Sequence, residues 1–97
     1  MNLFDYTTPQ QGEVLNTLLE HKNIKIVRII SASNFESTLY CQAEDEWVVV
    51  LEGEARLRVG EEETILSRGD SLLIPAHTPH RIVEMQQGTL WLAIHIE

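Results

Sequence analysis

Two histidines in the last fifth of the chain have a spacing that could place them side by side. His80 opens a strand-like run over 80–84, and His95 lies near the end of a second run over 89–96. If these runs form a hairpin centred on 87–88, His80 lies directly opposite His95. Neutral imidazoles are common ligands of divalent metal ions, so the spacing predicts a pair of histidines suited to a metal or a polar ligand.

The elements that would position these residues are predicted to be strands. Short runs rich in β-branched and aromatic residues alternate with glycine and proline turn signals every 6–12 residues or so. About eight short strands with such punctuation are typical of a sandwich or small barrel, so the predicted fold class is all-β. The predicted strands cover 24–31, 36–42, 46–52, 54–59, 62–66, 71–74, 80–84 and 89–96.

One segment near the N-terminus has a different pattern. Within residues 9–23, Val14, Leu15, Leu18 and Leu19 recur at helical spacing. This spacing predicts a short helical segment in a lead-in over residues 1–23, followed by a β-barrel over residues 24–97. Since the chain has 97 residues, we expect one domain overall.

Composition excludes several classes of function. Fifteen acidic against seven basic side chains give a net charge of −8, which disfavours nucleic acid and anionic membrane surfaces as partners. The first residues have neither a basic region nor an apolar stretch, so we expect a cytoplasmic protein that contacts neither membrane nor nucleic acid. The single cysteine, Cys41, cannot form an intrachain disulfide, and we interpret it as structural.

Two stretches of the chain resemble the motifs of the cupin family. In the first, Glu46 and Gly53 have the spacing of the family's Glu and Gly; in the second, Gly69, Pro75 and His80 match its Gly, Pro and His. The resemblance covers roughly residues 24–96 and implies a double-sheet jelly-roll barrel, also described as a double-stranded β-helix.

The chain departs from these motifs at positions that matter for metal binding. Tyr40 and Gln42 stand where the first motif has its two histidines, and His77 replaces a glycine of the second motif. Of the four ligands usual in the family, only Glu46 and His80 remain. The first motif is therefore degenerate, and the resemblance by itself does not supply a complete metal site.

The resemblance also offers a way to rebuild the site. In the cupin barrel the last strand is the neighbour of the strand that would carry Glu46, which implies that Glu46, His80 and His95 converge. Two imidazoles and a carboxylate suit Fe, Mn, Zn or Ni, and Gln42 is a candidate fourth ligand. The alternative is a metal-free polar pocket, whose ligand-binding residues would be Tyr40, Gln42, His77 and Trp91.

Three functions stay open at this stage. The first is a metal-dependent enzyme acting on a small organic molecule, and the second is a non-catalytic cupin that binds or senses a small-molecule ligand. The third is a dimeric scaffold with a vestigial pocket. The sequence contains no reaction-specific signature, so it does not decide whether the protein is an enzyme.

The alternation of side chains predicts a second apolar surface. If Glu46 and His95 point into the barrel, their neighbours along each strand point outward and form an apolar patch. Such a patch predicts a homodimer built sheet to sheet, unless the N-terminal segment alone covers it. The outward residues would be Trp47, Val49, Leu51, Leu90, Leu92 and Ile94.

Overall fold

Eight antiparallel β-strands build the fold in the computed structural model, which describes residues 1–33 and 38–97. The all-β prediction is confirmed, and seven of the predicted strands agree with the structure to within one residue at each end. The strands are β1 (Glu13–His21), β2 (Ile24–Ser31), β3 (Asp45–Glu52), β4 (Glu54–Val59), β5 (Glu62–Ser67), β6 (Ser71–Ile74), β7 (His80–Met85) and β8 (Thr89–Ile96).

The strands form two sheets that face each other across the core. The larger sheet has the order β1-β2-β8-β3-β6, and the smaller has the order β5-β4-β7. Alternate residues of the central strands point into the core, because successive side chains of a strand lie on opposite faces. The buried core cluster consists of Val48, Val50, Ala55, Leu57, Leu66, Ile74, Met85, Trp91 and Ala93.

The N-terminal helical segment predicted from the sequence is wrong. Glu13–His21 is a strand that pairs antiparallel with β2, and none of the described residues is helical. An irregularity in the ladder between Thr17 and Leu19 places Leu18 out of register. Such a bulge breaks the two-residue alternation, so Leu18 and Leu19 stand together and mimic helical spacing. Pairing with β2 overrides this weak local pattern.

The hairpin predicted between the last two strands is also wrong. β7 pairs with β4 in the small sheet, whereas β8 pairs with β2 and β3 in the large one. The backbone of the turn between them bonds to both sheets. Gln86 N donates to Glu54 O of the small sheet, and Gly88 N donates to Ser31 O of the large one. His80 and His95 therefore face each other across the barrel, from opposite sheets.

Gly53 marks another point where the chain passes from one sheet to the other. It joins β3 to β4 with a φ of 91°, in the left-handed region that favours glycine. A Cβ at this position would lie 2.9 Å from the backbone of Thr89. The crossing thus requires both the backbone freedom and the small size of glycine.

The N-terminal segment covers part of the outer face of the large sheet. It is held by Arg28, whose Nη1 donates to the backbone oxygens of Asn2, Leu3 and Asp5. Beneath the segment, Ile30 and Leu90 are fully buried, although both point away from the barrel interior. This part of the predicted outer patch is therefore an internal surface of the chain.

The rest of that outer face stays partly open. Trp47 pairs with Leu73 on one side and with Ile94 on the other, which forms an apolar row across three strands. Leu73 is 53% exposed. The homodimer remains a prediction, now restricted to this uncovered part. Over residues 1–33 and 38–97 the structure has no helix long and apolar enough to cross a bilayer.

Candidate functional site

A cavity of about 190 Å³ lies between the two sheets. It is slightly larger than the roughly 150 Å³ cavity known to take up benzene, so one ring or a short branched chain fits inside. Trp91 lines this cavity, as the sequence predicted. The apolar walls are formed by Ile29, Val48, Leu57, Ile74, Ile82 and Trp91.

One end of the cavity is polar and centred on Glu46, which is only 8% exposed. Glu46 on β3 pairs with His95 on β8, and its Oε2 lies 3.9 Å from His95 Nε2. From the opposite sheet, Nε2 of His80 lies 3.8 Å from Glu46 Oε1. The structure thus brings these three residues together, across the barrel and not along a hairpin.

Gln42 supplies the direct hydrogen bond of this cluster. Its Nε2 donates to Glu46 Oε1 over 2.8 Å. The two imidazoles do not donate to Glu46, because 3.8 and 3.9 Å exceed hydrogen-bond distance. One amide hydrogen bond is modest compensation for burying a carboxylate.

The contact that Nδ1 makes in each imidazole indicates which ring nitrogen carries the proton. His80 Nδ1 lies 3.0 Å from the backbone oxygen of Thr78, and a carbonyl oxygen only accepts, so Nδ1 carries a proton. His95 Nδ1 lies 3.3 Å from Glu44 Oε1, a contact that favours a proton there although it is not aligned as a hydrogen bond. In the neutral rings, both Nε2 lone pairs then face Glu46.

With both rings neutral, this polar end of the cavity presents three acceptors to one small space: the carboxylate of Glu46 and the lone pairs of His80 and His95. Acceptors that face one another repel unless something electron-poor lies between them. A group that donates hydrogen bonds, or a cation, is the complement of this arrangement.

A metal ion suits the donor types but not their spacing. Neighbouring ligand atoms around a metal with bonds of about 2.1 Å lie about 3.0–3.4 Å apart, depending on coordination geometry. The 3.8 and 3.9 Å separations of Glu46 from His80 and His95 are longer. Among the described residues, no set of three His, Cys, Asp or Glu side chains is grouped closely enough to hold an ion.

Tyr40 lies at the mouth of the cavity, where it is 40% exposed. Its ring stacks on that of His80, with centroids 5.8 Å apart. Two backbone hydrogen bonds of 2.8 Å join the same two residues. The sequence predicts a strand over 36–42, but over 38–42 the structure has an isolated β-bridge between Tyr40 and His80 in its place. Residues 36 and 37 lie outside the described residues.

Glu13 is a cavity residue that the sequence did not single out. It lies on β1, two residues before Leu15, which also lines the cavity and is 57% exposed at its mouth. Burial raises the pKa of the Glu13 carboxyl. The sequence signal for Glu13 was hidden because the segment resembled a helix, whereas the structure makes it the first residue of β1.

Two other residues named by the sequence do not contribute a side chain to this cavity. His77 is exposed, has a positive φ of 61° and lies outside the lining, where its backbone nitrogen donates to Gln42 O. Cys41 is exposed and likewise outside the lining. Tyr40, Gln42 and Trp91 are the predicted ligand-binding residues that do line it.

Comparison with known proteins identifies the family to which this site belongs. Residues 35–95 match the family model Cupin_2, described as a cupin domain. The chain belongs to the cupin family. The resemblance seen in the sequence is confirmed, and the cavity is the interior of a cupin barrel.

Solved structures with the same fold differ in what they are named for. A Ralstonia eutropha protein, provisionally named a mannose-6-phosphate isomerase, is 33% identical, with a TM-score of 0.86 over 100% of this cupin and 96% of that chain. An RmlC-like cupin from Shewanella frigidimarina is 21% identical, with a TM-score of 0.81 over 96% of this chain and 86% of its own.

A third structure holds a metal. It is the cobalt(II) form of HppE in complex with its substrate, which is 21% identical with a TM-score of 0.76, over 88% of this cupin and 52% of that chain. At this identity the likeness shows the fold alone. No protein with a curated description matches this chain significantly.

Proposed function

We propose that this cupin binds a small, largely apolar organic molecule in the barrel, with a hydrogen-bond-donating group of that molecule placed against Glu46, His80 and His95. The observation that carries the proposal is the set of three acceptors gathered at one end of a largely apolar cavity. Acceptors that serve a structural role are paired with donors, whereas among the described residues Gln42 alone donates to these three. The bound molecule supplies what the protein leaves out.

The lining argues against a phosphorylated sugar, the class suggested by the name of the Ralstonia relative. A phosphate is recognised by Arg, Lys or clustered backbone N–H groups. Of the described residues that line this cavity, Arg81 is the only Arg or Lys, and the lining also includes the carboxylates of Glu13 and Glu46. Such a lining repels a dianion.

Tyr40 and Glu46 are the side chains placed to exchange a proton with a bound ligand. Glu46 lies at the polar end, and the Tyr40 hydroxyl belongs to a ring stacked on His80. General acid–base chemistry needs a group within hydrogen-bond reach of the ligand, and both side chains line the cavity. Binding without turnover requires the same residues, so the proposal covers an enzyme and a sensor alike.

A second candidate is a divalent metal, Fe, Mn, Zn or Ni, held by Glu46, His80 and His95 with Gln42 nearby. The observation that favours it is the orientation of both histidines, whose Nδ1 atoms face an oxygen as in many metal-bound imidazoles. When bound, such a metal would act as a Lewis acid. To close around a metal, the ligand atoms of Glu46 and the two histidines would have to approach one another by about 0.5 Å from their separations of 3.8 and 3.9 Å.

Ligand binding is tested with benzyl alcohol, a one-ring probe with a single hydroxyl donor. In a Trp47→Phe background Trp91 is the sole tryptophan, so its fluorescence reports directly on the cavity. We expect saturable quenching that weakens at least about tenfold in Val48→Phe, which fills the cavity. Val49→Phe, one residue along the strand on the other face, is the matched control. Equal binding by both variants would contradict the proposal.

The metal candidate is tested by elemental analysis of protein purified without added metal. Stoichiometric metal that is lost in both His80→Ala and His95→Ala would support it. Absence of metal from the wild-type protein, together with probe binding, would leave the metal-free pocket as the function.

A further inference from the structure

The acceptors at the polar end of the cavity match one kind of donor better than others. Glu46 and the Nε2 atoms of His80 and His95 come from three different strands and face one space. A hydroxyl group has a single hydrogen to donate, and it would leave two acceptors without a partner. A primary ammonium group has three N–H donors and no acceptor, so it can satisfy all three residues.

The distances are consistent with an ammonium group. Three acceptors placed tetrahedrally about 2.9 Å from a nitrogen would lie about 4.7 Å apart. The separations of 3.8 and 3.9 Å between Glu46 and the two histidines are somewhat shorter. The first distance ends on Oε1 of Glu46 and the second on Oε2; for either histidine–oxygen pair, bending each hydrogen bond by about 13° gives this spacing, which N–H···acceptor bonds tolerate.

The charge of the surroundings favours a cation. The mouth carries Glu13, whose carboxylate has no partner among the described residues, and the chain has a net charge of −8. Arg81 also lines the cavity, but it is exposed to solvent. A cation in the cavity thus meets the carboxylates of Glu13 and Glu46, and the rings of Tyr40 and Trp91 supply aromatic surface in the same lining.

The geometry points to a primary amine, bound as its ammonium ion, as the ligand class of this cavity. The three N–H groups donate to Glu46, His80 and His95, and the carbon skeleton packs against the apolar walls. This inference rests on the proposed binding function and narrows it from any donor-bearing molecule to amines. The cavity volume of about 190 Å³ limits the skeleton to about one ring or a chain of similar size.

The test compares three probes of nearly equal shape: benzylamine, benzyl alcohol and benzoate. Each is titrated into chelator-treated Trp47→Phe protein at pH 8, with Trp91 fluorescence as the readout. We expect benzylamine to bind at least about tenfold more tightly than benzyl alcohol, since hydrogen bonds to charged groups are the stronger ones. Benzoate should bind more weakly than either.

Variants locate the source of this preference. Glu46→Gln, nearly identical in shape, should reduce the ratio of amine to alcohol affinity to about one or two. His95→Asn provides a second test at the same end of the cavity if the first variant is unstable. Glu20→Gln removes an exposed carboxylate of β1 that lies outside the cavity lining and should leave the ratio unchanged.

The outcomes separate this inference from the function on which it rests. Equal or tighter binding of benzyl alcohol, or a preference for amine that survives both Glu46→Gln and His95→Asn, would overturn the amine class while leaving a ligand-binding cavity. Failure of all three probes to bind would overturn both. A preference that appears only after metal is added would assign the site to the metal.

Discussion

The large sheet buries a charged side chain on each of its faces, and the two side chains differ in the number of hydrogen bonds that the chain makes to them. On the outer face, Arg28 is 7% exposed and makes five hydrogen bonds, two of them to Asn16 Oδ1. On the inner face, Glu46 is 8% exposed and receives one, from Gln42. The chain itself thus supplies acceptors for nearly all the N–H groups of Arg28. The carboxylate of Glu46 instead faces the lone pairs of His80 and His95.

This difference separates a structural charge from a functional one. A buried polar group that contributes to stability has its partners built in, since each missing partner costs free energy. Arg28 meets that condition and ties the N-terminal segment to the sheet. The group formed by Glu46, His80 and His95 does not meet it. This is expected at a binding site, where unpaired polar groups lower stability but can pair with a ligand.

The largest effect is expected at Arg28. Arg28→Ala removes the donor for the Asn16 side chain and for three backbone oxygens, and it releases the N-terminal segment. We expect the free energy of unfolding to fall by about 2–4 kcal/mol in urea titrations. Benzylamine affinity should change less than about twofold, because Arg28 lies on the opposite face of the sheet.

Arg58→Ala is the matched control for that substitution. Arg58 pairs with Glu63 at 2.8 Å, but its side chain is 46% exposed. Its loss should cost less than about 1 kcal/mol. A loss as large as that of Arg28→Ala would show that burial and saturation are not what distinguish Arg28.

The second effect concerns the uncovered part of the outer face. Trp47→Lys places a charge in the apolar row formed with Leu73 and Ile94. If that row is the interface of the predicted homodimer, size-exclusion chromatography with light scattering should show a dimer for the wild-type protein and a monomer for the variant. A wild-type monomer at all concentrations would show that the N-terminal segment covers as much of this face as folding requires.

The third prediction has the opposite sign to the first. Glu46→Gln replaces a carboxylate by an amide that can donate to a histidine lone pair, so the free energy of unfolding should rise by up to about 1 kcal/mol. The same variant should lose its preference for amine probes. Destabilisation similar to that of Arg28→Ala would mean that Glu46 is a structural residue, and the comparison between the two faces would fail.

The smallest effect is expected at Glu13, and it depends on pH. Because burial raises the pKa of this carboxyl, the folded protein holds its proton more tightly than the unfolded chain does. Its contribution to stability is therefore fully present below the ordinary glutamate pKa of 4.5 and is lost as pH rises through the higher pKa of the folded state. Glu13→Gln avoids this loss, so it should raise the melting temperature at pH 7.

The gap between the two melting temperatures should close as the pH falls below 4.5. In addition, Glu13→Gln should weaken benzylamine binding by about two- to fivefold at low salt and leave benzyl alcohol unaffected. A melting-temperature difference that does not depend on pH would mean that Glu13 acts through packing and not through its charge.

Much of the barrel could be predicted from the sequence because its strands carry strong local signals. The runs over 46–52 and 89–96 are rich in apolar and β-branched residues, and strand parity together with the cupin resemblance put Glu46, Trp91 and His95 on the inner face, where they line the cavity. The resemblance to cupins placed the last strand beside the strand of Glu46, and the register confirms that pairing.

The errors arose where long-range pairing decides the structure. The bulge at Leu18 made β1 look helical, and this concealed Glu13 as a cavity residue. The turn after β7 looked like a hairpin, but its backbone groups bond to two different sheets. His80 and His95 nevertheless meet, since a barrel brings together residues of opposite sheets as effectively as a hairpin joins neighbours.

The central claim is that His80 and His95 offer their Nε2 lone pairs, with Glu46, to a bound donor. It is tested most directly by nitrogen-15 NMR of the imidazole rings at pH 8, recorded on chelator-treated protein before and after addition of benzylamine. The account predicts that both Nε2 atoms are unprotonated in the free protein and that both signals shift together as benzylamine binds. Protonated Nε2 atoms that do not respond to benzylamine would contradict it, since the cluster would then be an internal ion pair that needs no ligand.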